Sequence, residues 1–212
     1  MYDESGMLGN QKCFILTAQD DSVSLLYLTA VFNSSLAKLW IWYNCPELQG
    51  GTREISKVYF EHFPIPKANA EQVSMMEQFV RVRIAYNNDL QLIVGKFQRM
   101  VQRNFGLEEL PGKLQNWYTQ SYKEFLTELG KKKIKLTLAQ EAEWEDYFNT
   151  EKAKALEIKK QIGDTDKEID RMVYVLYELT EEEVKIVEGW KYKKQKPNNL
   201  NLIYEIEKSQ IF

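Results

Sequence analysis

A regular spacing of apolar residues that begins near Ala70 is the strongest constraint on the fold of this 212-residue chain. Nine positions from 73 to 101 follow one another at intervals of three and four, and seven of the nine are apolar. This spacing predicts a long amphipathic helix whose buried stripe, here called the seam, resembles that of a coiled coil. Arg83 and Asn87 interrupt the seam. The helix is expected to end at Phe105-Gly106, because glycine favours a helix C-terminus.

A second amphipathic helix is predicted from about Leu138. Apolar residues recur every seven positions from Phe148 to Leu176, and Gly163-Asp164 is a predicted break or restart within the series. Thr180 to Glu183 matches a capping box, and Gly189 is expected to stop the helix that follows. Two such helices, joined by a connector of about residues 106–138, predict an antiparallel pair. The sequence leaves open whether the seams pair within one chain or between two copies in a homodimer.

The N-terminal segment predicts a small head of mixed structure. Residues 13–19 (CFILTAQ) favour a strand, residues 23–43 a buried helix ending near Asn44, and residues 53–63 a second strand. The head has few strands for a free-standing sheet, which indicates an incomplete domain. The predicted fold class is therefore α+β, mostly α: a strand-helix-strand head and a long antiparallel, coiled-coil-like helical pair. The predicted domains are residues 1–68 for the head, 69–190 for the helical pair with its connector, and 191–212 for the C-terminal tail.

Charge and composition restrict the classes of partner. The net charge is −3, and only residues 68–135 lean basic, with eleven basic and seven acidic side chains. This balance argues weakly against a dedicated nucleic-acid binder. Two cysteines make no disulfide framework, which favours a reduced, cytoplasmic compartment. The chain has no apolar run long enough to span a bilayer, so no membrane partner is expected.

The motifs of common enzyme classes are absent from the sequence. A single histidine, His62, makes a Ser–His–Asp arrangement a poor candidate, and no phosphate-binding glycine loop, nucleophile elbow or zinc-protease motif occurs. Cys13 and Cys45 lack the spacing of a zinc site and are interpreted as core thiols. The acidic residues of the second long helix are interpreted as a solvated face. We therefore predict no catalytic residue, no metal and no cofactor in this chain.

One ordered set of motifs goes beyond a generic helical protein. Its elements are residues 32–36 (FNSSL), 50–53 (GGTR), 59–61 (YFE), 63–66 (FPIP) and 168–183 (EIDRMVYVLYELTEEE). In this order they resemble the C-terminal specificity domain of type IIG restriction–modification enzymes and Taq-type adenine methyltransferases. The resemblance covers roughly residues 13–66 and 164–189.

The resemblance implies a DNA target-recognition segment of a bacterial restriction–modification adenine methyltransferase. The Asn-Pro-Pro-aromatic motif of such enzymes does not occur here, so their catalytic domains would lie outside this chain. S-adenosylmethionine is accordingly expected only in the parent enzyme. The implied partners are double-stranded DNA and the methyltransferase or endonuclease domains of that parent.

The residues predicted to contact DNA lie in the glycine loop (residues 47–53) and just after it. Two glycines let the backbone approach a phosphate closely and tolerate positive φ. Arg53 is predicted to reach a phosphate or a guanine edge. Lys57 is predicted on the same side of a strand as Arg53. The full set is Gln49, Gly50, Gly51, Thr52, Arg53 and Lys57.

Alternatives remain open for this site and for the whole chain. The glycines can serve only to make a tight turn, with Arg53 paired to Glu47 or Glu54. Trp40, Trp42 and Tyr43 are expected in the core rather than stacked on bases, and the lysine run 131–135 with Trp117 and Tyr118 is expected in a solvated connector rather than on phosphate. The alternative function is a non-enzymatic helical interaction or dimerisation module without DNA affinity, which the acidic balance favours.

Overall fold

The computed structural model describes residues 15–18 and 23–193, and it is mostly helical. The helices are α1 (Leu25–Asn33), α2 (Ser35–Asn44), α3 (Lys57–Phe60), α4 (Ala70–Phe105), α5 (Tyr122–Lys131), α6 (Leu138–Leu176) and α7 (Glu181–Lys193), with a 3-10 helix at Gly112–Thr119. The chain divides into two compact units. The first unit contains residues 1–81 and 165–212, and the second unit contains residues 82–164.

The predicted strand-helix-strand head is not confirmed. Residues 15–18 have no regular structure, and the rest of the strand predicted at 13–19, including Cys13, lies outside the described residues. In place of the second strand, the backbone carbonyl of Ser56 accepts hydrogen bonds from Tyr59 and Phe60, which turns the chain into α3. This turn brings the rings of Phe60 and Phe63 to 5.8 Å of each other. The only strand-like pairing of this segment among the described residues is an isolated bridge at Arg53, and local turn bonds and aromatic packing replace the strand from Ser56 onward.

The single helix predicted over residues 23–43 is two helices. Ser34 has an extended backbone, and its N–H and hydroxyl both donate to the carbonyl of Val31 at the end of α1. Its hydroxyl oxygen also accepts from the backbone N–H of Ala37, so Ser34 is the N-cap of α2. A serine that bonds the backbone on both sides favours a helix boundary over a helix interior. The predicted end near Asn44 is confirmed.

The first long helix agrees closely with its sequence pattern. α4 begins where Asn69 and Gln72 exchange side-chain and backbone hydrogen bonds of 2.9 Å, and it ends at Gly106, whose φ is +59°. The apolar seam residues after Val73 are buried, and Val73 itself is half-buried. Six of them are at most 7% exposed: Met76, Val80, Leu90, Val94, Phe97 and Val101.

The second unit has an aromatic core built by α4, α6 and the connector. Phe97 stacks on Trp117 with ring centroids 3.8 Å apart and meets Phe148 at 5.8 Å. Phe105, later on α4, meets Trp144, which is earlier on α6, at 4.9 Å. These paired positions run in opposite directions along the two helices, so in this unit α4 and α6 are antiparallel.

Two predicted helix ends are wrong. α6 continues through Gly163-Asp164, and α7 continues past Gly189 to Lys193. A glycine weakens a helix interior by only about 1 kcal/mol, which tertiary packing outweighs. The tail predicted at 191–212 overlaps the last turn of α7, and residues 194–212 lie outside the described part of the chain.

Reciprocal capping bonds start several helices. The predicted capping box at Thr180 is confirmed, with Glu183 accepting from the backbone and hydroxyl of Thr180 at 2.8 Å. The same arrangement occurs at Ser121–Glu124 and Thr137–Gln140, at the starts of α5 and α6. These local bonds satisfy backbone donors that the first turn of a helix leaves free.

Candidate functional site

The glycine loop is a short, exposed hairpin. Leu48 N–H donates to the carbonyl of Thr52 at 2.8 Å, and an isolated antiparallel bridge joins Glu47 to Arg53. Gly50 and Gly51 have φ values of +80° and +75°, so the predicted positive φ is confirmed at both. Residues 47–52 are all exposed. The sequence therefore builds a hydrogen-bonded turn that presents six consecutive residues to solvent.

Arg53 lies at the base of this hairpin, in the bridge with Glu47. Its side chain is 12% exposed, and its guanidinium lies 4.1 Å from the ring centroid of Trp42 on α2. One guanidinium nitrogen is 3.4 Å from a carboxylate oxygen of Glu47. Trp42 also lies near α7, where the ring centroid of Trp190 is 5.9 Å from that of Trp42. The pairing of Arg53 with Glu47, one of the alternatives at the sequence level, is thus present, and DNA contact by Arg53 stays a prediction.

The other predicted DNA contacts occupy different settings. Gln49 and Thr52 are exposed on the hairpin, where the Thr52 hydroxyl donates to the Gln49 carbonyl at 3.3 Å. Lys57 is exposed as the first residue of α3, so the reasoning that placed it beside Arg53 on a strand is wrong. The structure brings Gln49, Gly50, Gly51 and Thr52 together on the hairpin, with Lys57 four residues after the bridge at Arg53.

Two buried tyrosines anchor the extended FPIP segment that follows. Tyr27 of α1 donates its hydroxyl to the carbonyl of Pro66 at 2.6 Å, and Tyr177, just after α6, donates to the carbonyl of Pro64. Burial raises the pKa of Tyr27 to about 12 and also raises the pKa of Tyr177. Neutral phenols are therefore held as donors to carbonyls that would otherwise lack partners.

A buried carboxylate joins two of the motifs that carry the family resemblance. Asp170 accepts from the backbone N–H and from the hydroxyl of Ser35, each at 2.6 Å. Both residues are buried, and the carboxylate lies at the N-terminus of α2, where the helix dipole favours a negative charge. Residues 135 positions apart make this contact, so sequence spacing gave no signal for it beyond the presence of Asp170 in the IDRMVY motif.

Most remaining candidates are structural. Trp40 is buried, which confirms core packing for it. The lysines of the run 131–135 are exposed as expected, but Trp117 and Tyr118 are buried in the aromatic core, so a solvated setting is wrong for these two side chains. Trp42 is half-buried between Arg53 and Trp190, and Lys131 pairs with Glu128 at 2.6 Å.

Cys45 and His62 are the thiol and imidazole candidates within the described residues. Cys45 is buried, and burial raises the pKa of its thiol, which disfavours a reactive thiolate. His62 is exposed. Within residues 15–18 and 23–193, no three His, Cys, Asp or Glu side chains are grouped to hold a metal ion. Among the same residues, no helix has the length and apolar character to cross a membrane.

The fold and the site together define a mostly helical chain that displays an exposed two-glycine hairpin, with Arg53 at its base in contact with Trp42 and Glu47. Residues 1–65 match the family model of the TaqI-like C-terminal specificity domain, which confirms the resemblance carried by the motifs. Residues 69–173 match a domain of unknown function, DUF8810. No curated protein and no solved structure matches the chain.

Proposed function

We propose that this chain is the DNA target-recognition segment of a bacterial restriction–modification adenine methyltransferase, of type IIG or a related type. The match of residues 1–65 to a specificity domain carries the proposal. The hairpin supports it, because a rigid exposed turn can enter a DNA groove while Arg53 and Trp42 keep its base in place. The methyltransferase or endonuclease domains of the parent, with S-adenosylmethionine, would act on the DNA that this segment selects.

In this proposal the exposed side chains of the hairpin read the DNA. Gln49 is bidentate and suits an adenine edge, and Thr52 suits a phosphate or a base edge. Gly50 and Gly51 carry no side chain, so the backbone can approach a phosphate closely. Lys57 adds a phosphate contact from the start of α3. Arg53 retains donors beyond its bond to Glu47 for a phosphate or a guanine edge.

Selection of bound sequences from a pool of randomised duplexes tests the proposal. The full chain is expected to enrich a defined motif. The double variant Gln49→Ala/Thr52→Ala is expected to enrich a degenerate motif, with about tenfold less discrimination at the affected base pairs. Gln91→Ala/Thr150→Ala changes the same residue types at exposed positions of α4 and α6 and should leave the motif unchanged.

A second candidate is a helical interaction module without DNA affinity. It is favoured by the contacts of Arg53, which engage the cation of the glycine loop with Glu47 and Trp42. Binding to duplex DNA that weakens steeply with salt supports recognition of DNA, because phosphate contacts release counterions. Absence of duplex binding at about 50 mM salt would establish the interaction module instead.

A further inference from the structure

A row of basic side chains lies on the exposed side of α4 in the second unit. Lys96, Arg99 and Arg103 are all exposed and follow one another at intervals of three and four residues. This spacing puts the three on one side of the helix, away from the buried Phe97 and Val101 of the seam. We call Lys96, Arg99 and Arg103 the basic face.

The basic face has no acidic partner that would explain it as a structural feature. Among the residues that the structure describes, no carboxylate oxygen lies within 4.0 Å of its three cations. Like charges three and four residues apart destabilise a helix by about 0.2–0.5 kcal/mol per pair. The helix dipole stabilises a cation in the last turn, which accounts for Arg103 but not for Lys96 or Arg99. Repulsion among Lys96, Arg99 and Arg103 therefore lowers the stability of α4 when no anion is bound to them.

The surface beside these residues is open. Arg99 and Arg103 line a shallow groove of about 520 Å³ at the end of α4, together with Gln102, Gly106, Leu107 and Glu108. Glu108 is the one carboxylate on this lining. The side-chain amide of Gln102 donates a hydrogen bond of 3.2 Å to the backbone carbonyl of Glu108. Gly95 also leaves space for the basic face, because a Cβ there would meet the Arg99 guanidinium at 3.1 Å.

The spacing of the cations suits a nucleic-acid backbone. Seven residues of helix separate Lys96 from Arg103, which is about 10 Å along the axis. One strand of DNA places a phosphate every 3.4 Å or so along its axis, so about three phosphates fall within this span. Arginine also binds phosphate through two parallel N–H donors. An acidic peptide can supply negative charge but does not impose this regular density.

We propose that the basic face binds the phosphate backbone of duplex DNA and supplies affinity that does not depend on sequence. The inference rests on the proposed function, because duplex DNA is the partner that the specificity-domain match supports. It gives the second unit phosphate contacts of its own, in addition to those proposed for the glycine loop.

Duplex binding by the full chain, measured by fluorescence anisotropy between about 50 and 200 mM salt, tests the assignment. The variant Lys96→Gln/Arg99→Gln/Arg103→Gln is expected to weaken duplex binding by about tenfold or more at the lower salt concentration. It should also make the plot of log affinity against log salt shallower by about 2.7, equally on unrelated sequences. The matched control Lys123→Gln/Lys159→Gln/Lys160→Gln removes the same charge from exposed positions and should keep the original slope.

Further variants separate the ways in which this inference can fail. Arg99→Lys/Arg103→Lys keeps the charge and should retain the slope, and circular dichroism verifies that every variant is folded. An unchanged slope in the glutamine variant would overturn the basic face alone, provided that Gln49→Ala/Thr52→Ala still alters the selected motif. Loss of binding to polyglutamate with unchanged duplex binding would reassign the face to an acidic polypeptide. Failure of the unmodified chain to bind duplex would overturn both proposals.

Discussion

Single side chains in the first unit make contacts that join distant parts of the sequence. Asp170 and Ser35, Tyr27 and Pro66, and Tyr177 and Pro64 are each joined by a buried hydrogen bond. These pairs connect the NSSL, FPIP and IDRMVY motifs to one another. Residues of the motifs that carry the resemblance, such as Ser35, Pro64 and Asp170, therefore also hold this unit together.

Replacement of Asp170 by alanine should destabilise the first unit. The substitution leaves the N–H and the hydroxyl of Ser35 buried without an acceptor at the start of α2, at a cost of about 3 kcal/mol. Urea denaturation of the full chain measures the free energy of unfolding. Asp146→Ala, at an exposed position of α6, is the control and should change it by less than about 0.5 kcal/mol. Equal effects of the two substitutions would contradict a structural role for Asp170.

Burial of Tyr27 should make stability fall at alkaline pH. Its pKa rises from 10.0 to about 12 on folding, so the unfolded chain loses the phenolic proton first. The stabilisation by the neutral phenol is fully present below pH 10 and is lost as the pH rises to about 12. Removal of this titration by Tyr27→Phe should make the decline shallower by up to about 1.4 kcal/mol per pH unit. Denaturant unfolding at several pH values checks this.

The same substitution at the exposed Tyr59 provides the comparison. Tyr59→Phe should follow the unmodified chain across the alkaline range. Parallel curves for all three proteins would show that Tyr27 does not titrate with folding.

At the scale of the element, the long helices depend on packing as much as on local preference. α6 runs without interruption for 39 residues although it contains Gly163 and Asp164, a glycine followed by a good N-cap. Ile162 and Ile169, on either side of this pair, are both buried. Burial of apolar residues before and after the glycine keeps the intervening turn helical, because each buried side chain contributes more free energy than the glycine costs.

Gly163→Ala is accordingly expected to stabilise the protein by about 0.5–1 kcal/mol. A Cβ at this position meets no atom within 4 Å, and alanine has the higher helix propensity. Gly106→Ala is the matched substitution at the end of α4, where φ is +59°, and it should destabilise by about 1 kcal/mol. Thermal unfolding of both variants compares the signs. A loss of stability in Gly163→Ala would indicate that α6 needs flexibility at this point.

At the scale of the whole molecule, average charge conceals a local pattern. The chain carries −3, yet the basic face of α4 displays three exposed cations without carboxylate partners among the described residues. A composition that argues against a nucleic-acid binder is compatible with one basic surface, because screening limits the reach of exposed charges to about 10 Å. The periodicity that located the seam also contained the basic face, on the positions that the seam leaves exposed.

The sequence alone determined those features that depend on neighbouring residues. The start of α4 near Ala70, its end at Gly106, the start of α6 at Leu138 and the capping box at Thr180 each follow from contacts within one or two helical turns. The positive φ of Gly50 and Gly51 was predictable for the same reason. The order of the motifs in residues 32–66 also predicted the match of residues 1–65 to the TaqI-like specificity domain.

Only the tertiary structure decided what depends on residues far apart in the chain. The division at Ser34 is reinforced by Asp170, which binds the first residue of α2 from 135 positions away. Continuity through Gly163 depends on burial of Ile162 and Ile169, and the position of Arg53 depends on Trp42 of another element. Hydrogen bonds and aromatic contacts of this kind contribute about 1 kcal/mol or more each. Several such contacts together exceed the local preference of a single residue, which is about 1 kcal/mol or less. The folded chain, and not the local sequence, therefore settles these points.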